Sequence, residues 1–161
     1  MANVAIILVA AVLCAVLIKQ YVLPASPNPP PSQVQRKQVS KGDKISVPGV
    51  DWGQSGQTLL MALSTGCHYC TESAPFYQRL SRERAGKSVR LVALFPQQTD
   101  ESRQYLNGLG VTVDEVQQVS PGAVDVPGTP TLILVDGQGT VRNVWVGKLS
   151  EGKEVEVFAS L

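Results

Sequence analysis

The chain has 161 residues, which is room for one ordinary domain plus an appendage and not for two domains. Hydrophobic residues make up 43% and charged residues 17%; a very apolar N-terminus inflates the first figure, and the remainder has an ordinary soluble composition. A net charge of +1 gives no ground for a nucleic-acid partner or a strongly acidic substrate, and the odd count of three cysteines argues against a disulfide-stapled secreted fold.

Val4 to Ile18 is an unbroken apolar run, and Tyr21, Val22 and Leu23 extend it past Lys19 and Gln20. As a helix, Val4 to Leu23 spans about 30 Å, the thickness of a bilayer core. Lys19 can snorkel to the head groups and Tyr21 suits the interface, so residues 1–23 are read as a single transmembrane anchor. A cleaved signal peptide is the rival. It wants a basic n-region, which Met1 to Asn3 lack, and the nearest cleavage candidate is Pro24-Ala25-Ser26. Cys14 follows Leu13 rather than a small residue, so it reads as an apolar passenger of the anchor and not a lipidation site. Lys19, Arg36 and Lys37 all follow the run, which taken alone places the rest of the chain in the cytoplasm.

Residues 24–40, PASPNPPPSQVQRKQVS, are proline-rich and polar and form an extended, semi-rigid spacer. The domain occupies 41–161. Lys44 to Trp52 is expected as a short strand or hairpin arm interrupted at Pro48-Gly49. Thr58 to Ser64 (TLLMALS) is a continuous apolar run bounded by Gly56 and Gly66, the signature of a buried central strand. Cys70 to Arg84 is expected as a helix burying Phe76, Tyr77 and Leu80. Val89 to Phe95 is a second buried strand, closed by Pro96. Asp100 to Leu109 is a second helix, capped by Thr99 or Asp100 and ended near Gly108 to Gly110. Thr131 to Val135 is a third strand, the turn at Asp136 to Gly139 follows, and Val141 to Val146 is its hairpin partner. Ser150 to Leu161 closes the chain as a short helix. The order β-α-β-α-β-β-α gives an α/β sandwich with a mixed sheet, its first two strands parallel through a right-handed crossover.

Cys67 and Cys70 form a C-x-x-C where the first strand turns into the helix. A thiol at a helix N-terminus meets unpaired backbone N–H groups and the positive end of the helix dipole, and both favour the reactive thiolate. Cys67 is therefore the expected nucleophile. Cys70, one turn deeper on the same face, is placed to resolve a mixed disulfide by intramolecular attack. His68, when protonated, would stabilise the Cys67 thiolate further, and Tyr69 would shape the exposed rim that meets a substrate. Three plainer readings compete. A structural zinc site needs about four ligands, and only His68 and Cys14, the latter inside the expected membrane anchor, remain to join the pair. A structural disulfide over so short a loop staples little chain entropy, and an inert pair would waste the strand–turn–helix context. His68 can equally be a solvated loop residue.

These residues resemble the thioredoxin-like superfamily over roughly Lys41 to Leu149. The C-x-x-C follows a buried strand and opens a helix. Pro75 stands where thioredoxins carry a helix-kinking proline, Gly128-Thr129-Pro130-Thr131 looks like the family's cis-proline segment, and the hairpin ends in Trp145-Val146-Gly147. The resemblance implies that Pro130 packs beside the dithiol and that Thr129 offers backbone hydrogen bonds to an extended substrate. It is nearest the membrane-anchored redoxin and thiol–disulfide interchange branch. That branch implies a single-pass protein of the bacterial cytoplasmic membrane with its domain on the periplasmic side, against the Lys/Arg asymmetry. It also implies protein thiols and disulfides as partners, a redox partner that can itself lie in the membrane, and no cofactor beyond the Cys67–Cys70 disulfide.

Departures accompany the resemblance. Met61 stands where thioredoxins place an acid six residues before the first cysteine. Ser73 stands where some anchored reductases carry a glutamate, with Glu72 one position off, and Gly66 replaces the usual tryptophan. A peroxiredoxin-like thiol peroxidase with an antioxidant role is one rival, but the P-x-x-x-T-x-x-C pattern aligned on Cys67 meets Leu60 and Ser64. A non-enzymatic metal-handling or assembly module is another; copper chaperones of this fold use C-x-x-x-C and a distant histidine, and this chain has neither.

Overall fold

The strands expected over Thr58 to Ser64, Val89 to Phe95 and Thr131 to Val135 pair into the middle of one five-stranded sheet. The computed structural model describes Leu13, residues 38–84 and residues 86–161. The expected anchor at 4–23, with Cys14, and linker residues 24–37 lie outside the described residues except for Leu13; among the described residues no helix is long and apolar enough to cross a membrane. The described residues from 38 onward make one compact unit. Its strands are β1 (Gln57–Ala62), β2 (Val89–Phe95), β3 (Glu115–Gln118), β4 (Thr131–Asp136) and β5 (Val141–Val146), and its helices are α1 (His68–Glu72), α2 (Ala74–Glu83), α3 (Thr99–Gly108) and α4 (Glu151–Ser160). The sheet order is β3-β2-β1-β4-β5. β1 runs parallel to β2 and β2 to β3, whereas β4 is antiparallel to both β1 and β5, so the sheet is mixed.

Side chains alternate across a strand, and here both faces are buried. Leu59, Met61 and Leu63, with Leu91, Ala93, Leu132 and Leu134, join the residues the helices bury: Cys70, Phe76, Tyr77, Leu80, Leu106 and Val157. The opposite face, with Leu60, Val92, Leu94, Ile133 and Val135, is covered by segments outside α1–α4 that hold Val39, Val47, Trp52, Val119, Val124 and Val126. Val39 belongs to this packing and donates its N–H to the Asp125 carbonyl at 2.9 Å.

Four expectations need correction. The helix expected over Cys70 to Arg84, opening at about Cys67, is two helices that part at Ser73 (φ −84°, ψ 0°); its opening is where expected, with Cys67 as the N-cap of the first. Pro75 has no N–H to give the Thr71 carbonyl and so cannot continue the first helix; Ser73 Oγ instead donates to Tyr69 O at 2.7 Å. Lys44 to Trp52 forms no strand. It makes a single antiparallel bridge between Lys44 and Thr140, turns at Pro48-Gly49 with Gly49 at φ +82°, and ends in a 3-10 turn at Trp52–Gln54. β3 was absent from the expected order. The cap of α3 is Gln98 rather than Thr99 or Asp100, and its carbonyl accepts both the N–H and the Oγ–H of Ser102.

Candidate active site

Strand β1 delivers the chain to the site. Beyond Ala62, Leu63 donates its N–H to Leu94 O at 2.9 Å, and the turn through Gly66 leads to Cys67. Cys67 has extended backbone (φ −89°, ψ 109°) and is the N-cap of α1. Its sulfur accepts the Cys70 N–H at 3.1 Å, the position an Asp or Ser oxygen usually fills. A sulfur there caps a helix with an atom whose anion is the reactive species, and the amide stabilises that anion more than it does the neutral thiol.

Cys67 is half-buried and Cys70 is fully buried. The two are joined as a disulfide with Cα atoms 5.2 Å apart. The expected substrate segment arrives from the far side of the sheet. The Thr129–Pro130 peptide bond is cis, Pro130 is buried, and Thr129 O lies 3.4 Å from Cys67 Sγ. Two bonds hold the segment: Thr131 Oγ1 donates to Gly128 O at 2.7 Å, and Gly147 N–H donates to Pro130 O at 2.7 Å. Residues 62 positions apart in the chain thus meet at one sulfur.

The outer rim is exposed. Tyr69 is 58% exposed, and its ring stands 5.7 Å from that of His68. His68 Nε2 meets Glu72 Oε1 at 3.0 Å, and Lys148 Nζ donates to the other Glu72 oxygen at 2.9 Å. The Lys148 hydrogen bond, with the charges of Lys148 and His68 behind it, holds the Glu72 carboxyl below the usual carboxylate range despite some desolvation. The His68–Glu72 pairing is legible as an i, i+4 spacing; Lys148, 76 residues from Glu72, is not.

Beneath the dithiol the surroundings are apolar. Met61 is fully buried in the same cluster as Cys70, between Ala93 of β2 and Leu132 of β4. Tyr77, also buried there, has its phenol pushed up by burial, a shift that a hydrogen bond with Ser73 opposes. Glu72 points outward to Lys148 and His68. Among the described residues no three or more His, Cys, Asp or Glu side chains converge to hold a metal ion.

A mixed sheet in this order, with a dithiol at the N-terminus of the helix after β1 and a cis X–Pro bond facing it, is the thioredoxin-like fold. Solved structures agree. The chain is similar to a protein from Chlorobium tepidum assigned as thiol:disulfide interchange protein DsbE (TM-score 0.61, 22% identity, 76% of this chain and 97% of that one). It is similar to a thiol:disulfide interchange protein from Bacteroides sp. (TM-score 0.59, 16% identity, 76% and 92%) and to StoA from Bacillus subtilis (TM-score 0.53, 17% identity, 75% and 94%). No family model matches the sequence, and no curated protein does.

Proposed function

We propose that the chain is a thiol–disulfide oxidoreductase that exchanges disulfides with partner proteins through Cys67 and Cys70. The observation that carries this reading is the Cys67 sulfur itself: it caps α1 on the Cys70 amide, lies against Thr129 O, and is joined in a disulfide to the buried Cys70 sulfur. In the reducing direction, the Cys67 thiolate attacks one sulfur of a partner disulfide. A Cys67–partner bond forms, the partner S–S bond breaks, and the leaving thiolate takes a proton. The Cys70 thiol gives up its proton and attacks Cys67 Sγ, closing the internal disulfide and expelling the second partner thiolate. Two electrons pass to the partner, and the oxidising direction is the reverse.

Cys67 is the nucleophile and Cys70 the resolving thiol. Thr129 and Pro130 form the backbone edge along which an extended partner segment lies. Tyr69 contacts that segment from the open side, and His68, held by Glu72, tunes the thiolate from the rim. Residues 4–23 anchor the chain as a single span in the bacterial cytoplasmic membrane, with the domain on the periplasmic side and a redox partner in or beside the same membrane. The length and apolarity of that run and the oxidising character of the compartment support this reading.

Two experiments test it. Reduced full-length chain in detergent should reduce 2-hydroxyethyl disulfide catalytically in the presence of dithiothreitol, and a rate no faster than dithiothreitol alone would refute the exchange chemistry. Protease added to intact spheroplasts should digest the domain; a domain that stays protected would place it in the cytoplasm.

A further inference from the structure

The turn that delivers Cys67 is held from outside by one side chain. Cys67 N–H donates to Ser64 O at 3.1 Å and closes a four-residue turn through Thr65 and Gly66. Gly66 is exposed, and a Cβ placed on it would meet nothing within 4 Å, so no packing steadies that side of the turn. Gln97, half-buried, reaches the other side. Its Nε2 donates to Ser64 Oγ at 3.1 Å, and its Oε1 accepts the Thr65 N–H at 3.5 Å. The Thr65 hydroxyl donates in addition to Glu101 Oε1 of α3 at 3.0 Å.

We propose that Gln97 is a positioning residue for thiol–disulfide exchange: its side-chain amide clamps the Ser64–Cys67 turn and so keeps the Cys67 sulfur on the Cys70 N–H, where the thiolate is stabilised. The inference rests on the exchange chemistry proposed above and deepens it. The topology puts Gln97 there. β1 and β2 are parallel, so the segments that follow them leave the sheet side by side. Gln97 lies between Pro96, directly after β2, and Gln98, the cap of α3, and its backbone is fixed from both directions. A primary amide carries a donor and an acceptor in one plane, so its two bonds set both the place and the tilt of the turn. That tilt matters at the sulfur. Cys67 Sγ accepts the Cys70 N–H at 3.1 Å, a bond that strengthens with charge on sulfur and weakens steeply with misalignment. The amide is neutral, so it acts on the thiolate through position and not through charge.

The test follows iodoacetamide alkylation of the reduced full-length chain in detergent across the pH range, with the product located at Cys67 by peptide mapping so that Cys70 and Cys14 do not contribute. The inflection of rate against pH reports the Cys67 thiolate. In Gln97→Met, which keeps the length of the side chain and loses both bonds, the inflection should rise by about one unit, a tenfold fall in the acid dissociation constant. Below the inflection, exchange with 2-hydroxyethyl disulfide should slow by about threefold, because the thiolate fraction falls about tenfold while its nucleophilicity rises by about threefold. Ser64→Ala removes the acceptor of the shorter bond; it should move the inflection the same way, and it serves alone if Gln97→Met does not fold. Combined with Gln97→Met it should move the inflection no further, since that bond is already gone. The titratable neighbours of the site, His68, Tyr69, Cys70 and Glu72 of α1, Glu101 of α3 and Lys148 after β5, are intact in every variant, so a shift reports position and not a lost charge. An inflection unchanged in both single variants, or shifts that add in the double variant, would overturn the clamp while leaving the exchange chemistry standing. Failure of the wild-type chain to reduce 2-hydroxyethyl disulfide would overturn the exchange chemistry and the positioning role with it, whatever the alkylation inflections show.

Discussion

Replacing Met61 with Asp puts a carboxyl at the position where thioredoxins carry one, and the structure says what it would meet. Met61 has no exposed surface and lies between Ala93 and Leu132, on the face that also buries Cys70. Loss of the thioether's packing costs about 2 kcal/mol or more. The carboxyl adds a pH-dependent term. A buried acid has its pKa raised by up to about 3–5 units, and each unit is about 1.4 kcal/mol. The sign follows from proton binding: the folded acid holds its proton above about pH 4 while the unfolded chain has released it, so stability falls as pH rises until the folded pKa is passed. Between pH 4 and pH 7 this amounts to about 4 kcal/mol, a large share of the ~5–15 kcal/mol of a typical domain. Urea midpoints of wild type and Met61→Asp at half-unit steps from pH 4 to pH 7.5 check it. The variant's curve should separate from wild type by about 1.4 kcal/mol per pH unit. Parallel curves less than about 1 kcal/mol apart would mean that water or a cation reaches the space under Cys70, and the apolar floor described here would be wrong.

Other outcomes follow from the same geometry. Cys70→Ser should stop at the mixed disulfide and accumulate one partner per chain on Cys67, whereas Cys67→Ser should trap nothing and exchange at the uncatalysed rate; mass spectrometry under non-reducing conditions separates the two. Asp136 is held below the usual range first by the N–H groups of Thr140 and Gln138 and then by Arg142. Glu156 is held low first by Lys153 and then by Trp145 Nε1. With Glu72, these depressed acids stabilise the fold above their unfolded values of 3.8 (Asp) and 4.5 (Glu), and that stability is lost as pH falls through the folded values. Asp136→Asn should therefore flatten the acid limb of the stability profile in urea titrations between pH 2 and pH 6; an unchanged slope would contradict the assignment. Leu91→Ala, at a fully buried position paired with Leu59, should cost about 3 kcal/mol and lower the Tm by roughly 10 °C in a thermal melt.

Burial on both faces made β1, β2 and β4 legible as apolar runs interrupted inside only at half-buried Arg90, whereas the edge strand β5, which contains Arg142 and Asn143, was legible from the turn before it; Val89–Phe95 and Val141–Val146 have the bounds expected, and β1 and β4 differ only at their ends. β3 was not legible. Its sequence, EVQQ, buries only Val116, and its strand character comes from pairing with β2 at the sheet edge. Lys44 to Trp52 erred the other way, with hydrophobic residues that pack against the second core cluster from a loop rather than a ladder. Within the candidate site, the short-range signals are a C-x-x-C after a buried strand and a Thr-Pro before another, and the structure brings the two together at Cys67 Sγ. The contacts that join Glu72 to Lys148, and that bring Val124 and Val126 toward Ala62, span 60 residues or more and leave no mark in local spacing.

The measurement closest to the central claim is a redox titration of the full chain in detergent against glutathione buffers, with thiols counted by mass and located by peptide mapping. A single two-electron transition should appear, with Cys67–Cys70 as the oxidised product and Cys14 left as a thiol. A midpoint below about −250 mV marks a reductant fed by an upstream donor, and one above about −180 mV marks an oxidant or isomerase. If no Cys67–Cys70 disulfide forms at any potential, or if Cys14 is oxidised in its place, the dithiol account is wrong.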